Sequence, residues 1–307
     1  MIYAIYLNPT IDKTIYIDNF GIGETNRVQS SITQGGGKAL NLAKVLHNLG
    51  TPVTICGIDT SDGSRPIYEV AEGIPCSFVT VDGEPRTNIK VVDKVSSVTT
   101  EINDKGPVVD REHLEKVLSG LADTVSEDDF VVLTGSLPLG CSKDYYAQMI
   151  ARLNCKVVVD ASGEALVQAV KQKPFLIKQN LDELSQLTGE KYSFSELSKV
   201  IEDTRKVLAG GITAAIVSMG KDGAVIIDKD ACFYSKPVVK KPDSTVGAGD
   251  SMLAGAMSVF FEDYDIEKAL KVGTASSAAT ISLPGTTLAG KEDIEKMMGN
   301  VNIERIR

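Results

Sequence analysis

KVVVDASGEALVQAVKQKPFLIKQ, residues Lys156 to Gln179, is the stretch on which the fold turns. Two short, continuously apolar runs, KVVVDA (156–161) and FLIKQ (175–179), flank a helix-like segment at 163–172. A strand that is apolar on both faces needs cover on both faces, and parallel strands between helices provide it. The same alternation extends outward. Towards the N-terminus come a helix pattern at 142–152, FVVLTG (130–135) and a helix pattern at 110–124. Towards the C-terminus come helix patterns at 181–188 and 194–209, then AAIVSMG (214–220). This periodicity predicts an α/β fold, a three-layer α/β/α arrangement with a mostly parallel central sheet.

The flanks add detail. The chain opens on an apolar strand, Ile2 to Leu7, followed by two alternating segments, TIYIDNF (14–20) and RVQSSITQ (27–34), that read as a hairpin. From Gly37 the period changes, and Ala39, Leu42, Ala43, Leu46 and Leu49 share one helix face that Gly50 stops. Strand-like runs follow at 53–58, 76–81, 88–93 and 98–103, and the chain ends with a hairpin (224–228 and 231–238) and helices at 248–261, 265–282 and 290–299. No repeat or low-complexity linker is visible, so we expect one α/β domain over 1–307. A small β lid is expected from segments about 12–34 and 86–103.

Composition narrows the function. A chain of 307 residues, 43% hydrophobic, buries a full core. Its net charge is −9 and its pI about 4.9, without a Lys/Arg block that could track a phosphate backbone, so nucleic acid is not an expected partner. No run of 18 apolar residues and no signal-type segment occurs, which predicts a cytoplasmic protein without membrane attachment. Cys56, Cys76, Cys141, Cys155 and Cys232 are scattered and odd in number, which argues against disulfides and zinc and for buried, reduced thiols. The only histidines, His47 and His113, fall on surface-helix patterns, leaving few bases for Ser-His or Cys-His chemistry.

Two glycine motifs carry the chemistry. GGGK (35–38) opens directly into a helix, and glycine backbone, helix start and Lys38 together suit an anion. It is not a P-loop, since Ile32 stands where the first glycine belongs and Ala39 follows the lysine. No GxGxxG loop opens a helix either, which removes the main support for a dinucleotide-dependent dehydrogenase. In VGAGDSM (246–252), Gly247, Ala248 and Gly249 place unpaired N–H groups at a helix start, and Asp250 sits in its first turn, where the dipole is expected to keep it ionised. A carboxylate beside an anion hole suits phosphoryl transfer to a hydroxyl.

DSTVGAGDSM (243–252) resembles the signature of the ribokinase-like, PfkB-type carbohydrate kinases. The resemblance runs through LNPTIDKT (7–14), GGGKALNLAKVL (35–46), PRTNIKVVD (85–93), TTEIN (99–103), GSLP (135–138), DASGEAL (160–166), FLIKQNLDEL (175–184), VSMGKDGA (217–224), SSAAT (276–280) and PGT (284–286), nearly the whole chain. It implies a cytoplasmic sugar kinase using ATP and Mg2+, with Asp250 as catalytic base and the amides of Gly247, Ala248 and Gly249 as anion hole. It implies sugar hydroxyls on Asp12, with Gly36, Gly37 and Asn41 lining the pocket. In the hexose-phosphate branch, Lys38, Arg86, Asn88 and Lys90, with Arg27, would meet a phosphate already on the sugar. Within that branch the segments DKT, TNIKVVD, TTEIN and VGAGDSM most resemble kinases that act on fructose 1-phosphate. Tagatose 6-phosphate and fructose 6-phosphate are alternative acceptors, the last disfavoured because Gly is usual there at the position of Lys38. Lys178, Asn180, Ser218, Gly220 and Gly223 match nucleotide-binding positions, Ser276, Ala279 and Thr280 the adenine edge, and Glu183 the NxxE carboxylate that holds magnesium through water. The family's β lid implies a homodimer. A sugar-phosphate sensor that has lost its chemistry would lack the base or the anion hole, and this chain keeps both. The chain departs from the family at Ala39, Pro85 and Gln179, where Gly, Thr and Pro are usual.

Overall fold

Along the first strand, Ile2, Ala4 and Tyr6 enter one hydrophobic cluster and Tyr3, Ile5 and Leu7 another, as alternation in a sheet covered on both faces requires. The computed structural model describes residues 1–96, 98–193, 196–239 and 245–306. β1 (Ile2–Tyr6) pairs in parallel with β4 (Val53–Thr60) on one side, and β4 with the edge strand β5 (Cys76–Val81). On its other side β1 pairs with β8 (Phe130–Thr134), followed in parallel by β9 (Lys156–Asp160), β10 (Leu176–Asn180) and β11 (Ala214–Ser218). Three antiparallel strands extend the sheet: β12 (Ala224–Asp228), β13 (Cys232–Ser235) and β14 (Ile303–Ile306). The strand order reverses at β1, which opens a crevice beyond the carboxyl ends of β1 and β8 to β11.

Helices cover both faces. α1 (Lys38–Leu49), α8 (Ala248–Glu262), α9 (Ile266–Ile281) and α10 (Lys291–Met298) close one cluster. α3 (Arg111–Ala122), α4 (Tyr145–Arg152), α5 (Gly163–Val170), α6 (Leu181–Thr188) and α7 (Leu197–Leu208) close the other. Each fully buried Leu or Ile, such as Leu40, Leu46, Leu118 and Leu133, contributes about 1.5–3 kcal/mol. The helix read from 37 onward is α1, ended by Gly50 in the left-handed conformation that glycine permits.

A second, four-stranded sheet of β2 (Thr10–Ile17), β3 (Ser30–Gly36), β6 (Arg86–Asp93) and β7 (Val98–Ile102), in the order β3-β2-β6-β7, stands at the sites expected for the small sheet. β2 and β3 form the expected hairpin, yet β2 begins at Thr10, so Asp12 lies in a strand rather than in a turn. Gly35 and Gly36 likewise belong to β3 and pair with Ile11 and Thr10. Only Gly37, with φ +98, turns the chain into α1.

Two elements escaped the periodicity. α2 (Arg65–Val70) is too short to show a helical face and opens on a proline in its first turn, while β14 takes its place by edge pairing with β13. The helix expected at 142–152 starts at Tyr145. The helix expected at 194–209 spans Leu197–Leu208, and residues 194 and 195 lie outside the described residues. All five cysteines are free, but only Cys56 and Cys232 are buried and Cys76 is exposed, because β5 is an edge strand. Among the described residues no helix is long and apolar enough to cross a membrane.

Candidate active site

Each functional side chain stands at the carboxyl end of a main-sheet strand, on the facing small sheet, or at the start of α1 or α8. Asp12 on β2 is buried, and its neighbour across β6, Asn88, donates from Nδ2 to Asp12 Oδ1 at 3.4 Å. Gly36 sits beside them because a Cβ there would overlap Asp12 Oδ2, so only glycine leaves that carboxylate its place. Asp12 thus presents a carboxylate that accepts hydroxyl hydrogen bonds.

Gly247 caps α8 in the left-handed conformation (φ 73) without a side-chain cap, leaving the N–H groups of the first turn unclaimed by side chains. Asp250 in that turn is 7% exposed, and Asn41 of α1 donates from Nδ2 to its Oδ2 at 2.8 Å. Burial pushes the Asp250 carboxyl above its ordinary range and Asp160 adds to this, against the Lys38 ammonium and the Asn41 hydrogen bond. Burial is thus the largest influence on this carboxyl. The consequence is chemical, since a carboxylate of raised pKa is the stronger proton acceptor. Asp243 and Ser244, the first residues of the signature, lie outside the described residues.

The carboxylate of Asp160, at the end of β9, organises the cations. It receives Lys38 Nζ at 3.1 and 3.2 Å, Lys178 Nζ at 3.1 Å and Thr134 Oγ1 at 3.0 Å, and it is wholly buried. Burial would raise its carboxyl, but Lys178 and Lys38 outweigh burial and hold it at about 2. Lys38 is raised in turn, burial being overcome first by Asp160 and then by Asp250. Lys178 also reaches α8, where a Cβ on Gly249 would stand 2.9 Å from its Nζ. Asp160 received no role from the sequence, although a carboxylate closing the apolar run KVVVD was a usable signal.

Three spaces surround this cluster. One of about 220 Å³ is lined by Lys38, Arg86, Asn88, Asn103 and Ser136. Arg86 is steered there by bonds from Nε to Thr10 Oγ1 (2.8 Å) and from a terminal nitrogen to the Asp104 carbonyl (3.4 Å). A second, about 580 Å³, lies between the small sheet (Thr14, Tyr16, Lys90, Glu101) and the segments at 245–246 and 284–286. Lys90 therefore faces a different space from Arg86 and Lys38. The third, a narrow cleft of about 60 Å³, runs past Gly220, Gly223, Val238, Met252 and Ser277. Gly223 has φ +92, and a Cβ would run into the Ser235 carbonyl, so this turn demands glycine.

The remaining expected residues divide. Asn180 and Glu183 form a reciprocal capping box at the start of α6, each bond 2.8 Å, and Glu183 is buried. Gln179 beside them is fully buried with both amide atoms unpartnered, and leaves that box intact. Ser218 ends β11 with its hydroxyl 3.4 Å from the Gln179 carbonyl. Ser276 and Ala279 line none of these spaces: Ser276 faces Gly255 between α8 and α9, and Ala279 is in the core. Thr280 is likewise committed, to Ser251 at 2.8 Å. Their neighbours Ser277 and Ala278 line the cleft instead, a shift around the helix that a motif match does not resolve. Arg27 is exposed and lines none of the three spaces.

A buried carboxylate, a helix start without a side-chain cap and two converging lysines share one cleft, an arrangement suited to phosphoryl transfer. The pfkB family carbohydrate kinase pattern matches residues 6–293, and the chain belongs to that family. It is 30% identical over 312 residues to a 1-phosphofructokinase of Bacillus subtilis, covering 100% of both chains. A putative phosphofructokinase from Staphylococcus aureus superposes with a TM-score of 0.81 at 31% identity, covering 100% of this chain and 99% of the other. The phosphofructokinase-2 from Escherichia coli in complex with substrates and products shares the fold, with a TM-score of 0.90 at 24% identity over 97% and 98%.

Proposed function

We propose that this chain is one kinase unit, with the small sheet as its lid, that transfers the γ-phosphoryl of ATP to the 6-hydroxyl of fructose 1-phosphate, giving fructose 1,6-bisphosphate and ADP. The observation that carries this reading is the placement of Asp250, buried, held by Asn41 and set in the uncapped first turn of α8. Asp250 accepts the hydroxyl proton as the oxygen forms its bond to the γ-phosphorus and the bond from that phosphorus to the ADP oxygen breaks. The N–H groups of Gly247, Ala248 and Gly249, with Lys178 beside them, meet the charge on the moving group. Asp12 positions the sugar hydroxyls. Lys38 and Arg86 in the 220 Å³ space meet the phosphate already on the sugar, which supports a phosphorylated acceptor. The full-length relatives named 1-phosphofructokinase support fructose 1-phosphate within that class.

Among the described residues no three acidic, His or Cys side chains converge as a metal cage. That fits Mg2+, which keeps most of its water and binds through few protein oxygens. Glu183 and Asn180 would hold it through water, and when bound it supplies charge neutralisation to the nucleotide phosphates. The Gly220 to Gly223 turn and the narrow cleft suit the nucleotide. We further propose a homodimer through the lid, whose outer face exposes Val98 and Ile102, each 55% exposed. The phosphorylated, water-soluble substrates accord with a cytoplasmic location.

The test is ADP release with Mg-ATP against fructose 1-phosphate, fructose 6-phosphate, tagatose 6-phosphate, fructose and ribose, ranked by kcat/KM. Fructose 1-phosphate should lead by about tenfold or more, a discrimination of roughly 1.4 kcal/mol. Turnover of unphosphorylated sugars alone would remove Lys38 and Arg86 from their role.

A further inference from the structure

Lys90 faces the cleft, but not the space its motif suggested. It is 8% exposed on β6, yet among the described residues no hydrogen bond or ion pair reaches its ammonium. Its cross-strand neighbour on β7, Glu101, borders the same space without forming an ion pair with it. Its stem is covered while the ammonium opens into the space of about 580 Å³, and a cation that faces a cleft without a protein partner is available to an anion that arrives there.

Arg86 lies four residues away on the same face of β6, about 13 Å along the strand. Arg86 borders the space with Lys38 and Ser136, whereas Lys90 borders the space with Val246 and Gly285. Val246 directly precedes Gly247, the cap of the uncapped helix start. The two lid cations therefore face opposite sides of Asp12, which pairs with Asn88 midway between them. As the two side chains stand, a phosphate held by Arg86 and Lys38 lies in one space, and Lys90 is left facing the other.

On the kinase reading above, on which this inference rests, the second anion in the cleft is the phosphoryl being transferred. We propose that Lys90 is a catalytic residue of the lid, which contacts the γ-phosphoryl from the side opposite the α8 amides and Lys178. The core supplies N–H groups and one ammonium, and the lid supplies the other ammonium. The phosphoryl is then fully surrounded only when the lid lies over the cleft. Arg86 and Lys38 retain the acceptor phosphate.

The two assignments separate kinetically. Lys90→Met, close in length and without charge, should lower kcat about a hundredfold, as for loss of one transition-state donor. Its KM for fructose 1-phosphate should stay within about twofold, since that phosphate is held elsewhere. Calorimetric titration of fructose 1-phosphate into the nucleotide-free protein should give the same Kd for Lys90→Met and wild type, a readout that needs no turnover. Lys90→Arg should recover most of kcat by restoring the charge. A Lys90→Met protein with wild-type kcat, or with a fructose 1-phosphate Kd weakened about tenfold, would overturn the proposal, the latter returning Lys90 to the acceptor phosphate. A Lys90→Arg protein as slow as Lys90→Met would also overturn it, by making the role one of packing. Wild-type protein that phosphorylates no sugar phosphate at all would instead overturn the kinase reading itself.

Discussion

Asp250 is a carboxyl buried at a helix start, and its energetics follow from that burial. A carboxyl whose folded-state pKa is raised stabilises the fold fully only below its unfolded pKa, and that contribution is lost as pH rises through the folded value. Ionising this carboxyl therefore costs stability. Asp250→Asn should cut kcat about a hundredfold or more through loss of the base, while its Tm at pH 7 equals or exceeds that of wild type. A thermal melt beside a turnover assay checks both. The Asn41 hydrogen bond pulls the same pKa down, so Asn41→Leu should move the acid limb of the kcat/KM profile to higher pH. A profile measured from pH 5 to 8 that does not move would remove Asn41 from that role. At this scale the residue types were legible in the sequence, since Asp12, Asp250, Asn180 and Glu183 were named from motifs. Their partners were not legible: the Asn41 to Asp250 bond spans 209 positions and the Lys38 to Asp160 pair 122.

Among the elements, α8 and α9 pack closely because glycine lies at the contact. A Cβ on Gly255 would overlap Ser276 Oγ and stand 2.7 Å from the Val272 carbonyl, and a Cβ on Gly273 would stand 2.7 Å from the Met252 carbonyl. This close approach carries the first turn of α8, and with it Asp250, against the core. Gly255→Val should separate the helices and destabilise the fold by about 1–3 kcal/mol, measured by urea unfolding. Because the strain would propagate to the anion hole, turnover should fall as well. A variant as stable as wild type would mean that the helices have room to part. The same packing explains why Ser276 and Ala279 turned out to face protein. A motif names a short run of positions, but which of them face a groove depends on how the helix is rotated against its neighbour. α2 and β14 were missed for a related reason, one being too short to show a period and the other existing only by pairing with β13.

For the whole molecule, the small sheet forms one wall of the cleft. Its inner face carries Asp12, Asn88 and Lys90 over the cleft, while Val98 and Ile102 stand on its other face by strand alternation. Covering that apolar face is the physical reason for expecting two copies to pair through it. Light scattering should give twice the 32.8 kDa chain mass for wild type and a single chain mass for Val98→Lys/Ile102→Lys. A monomeric wild type would leave the face for another partner.

The sequence by itself determined the α/β class, the order of nearly all the strands and helices, and the motifs that gather at the cleft. Those features are local, set by hydrophobic period, glycine and the helix start. Tertiary structure alone decided which cation faces which phosphate space, that Asp160 holds Lys38 and Lys178 together, and that burial raises the Asp250 carboxyl. Those properties depend on distances and desolvation between segments far apart in the chain, and only the folded packing creates them.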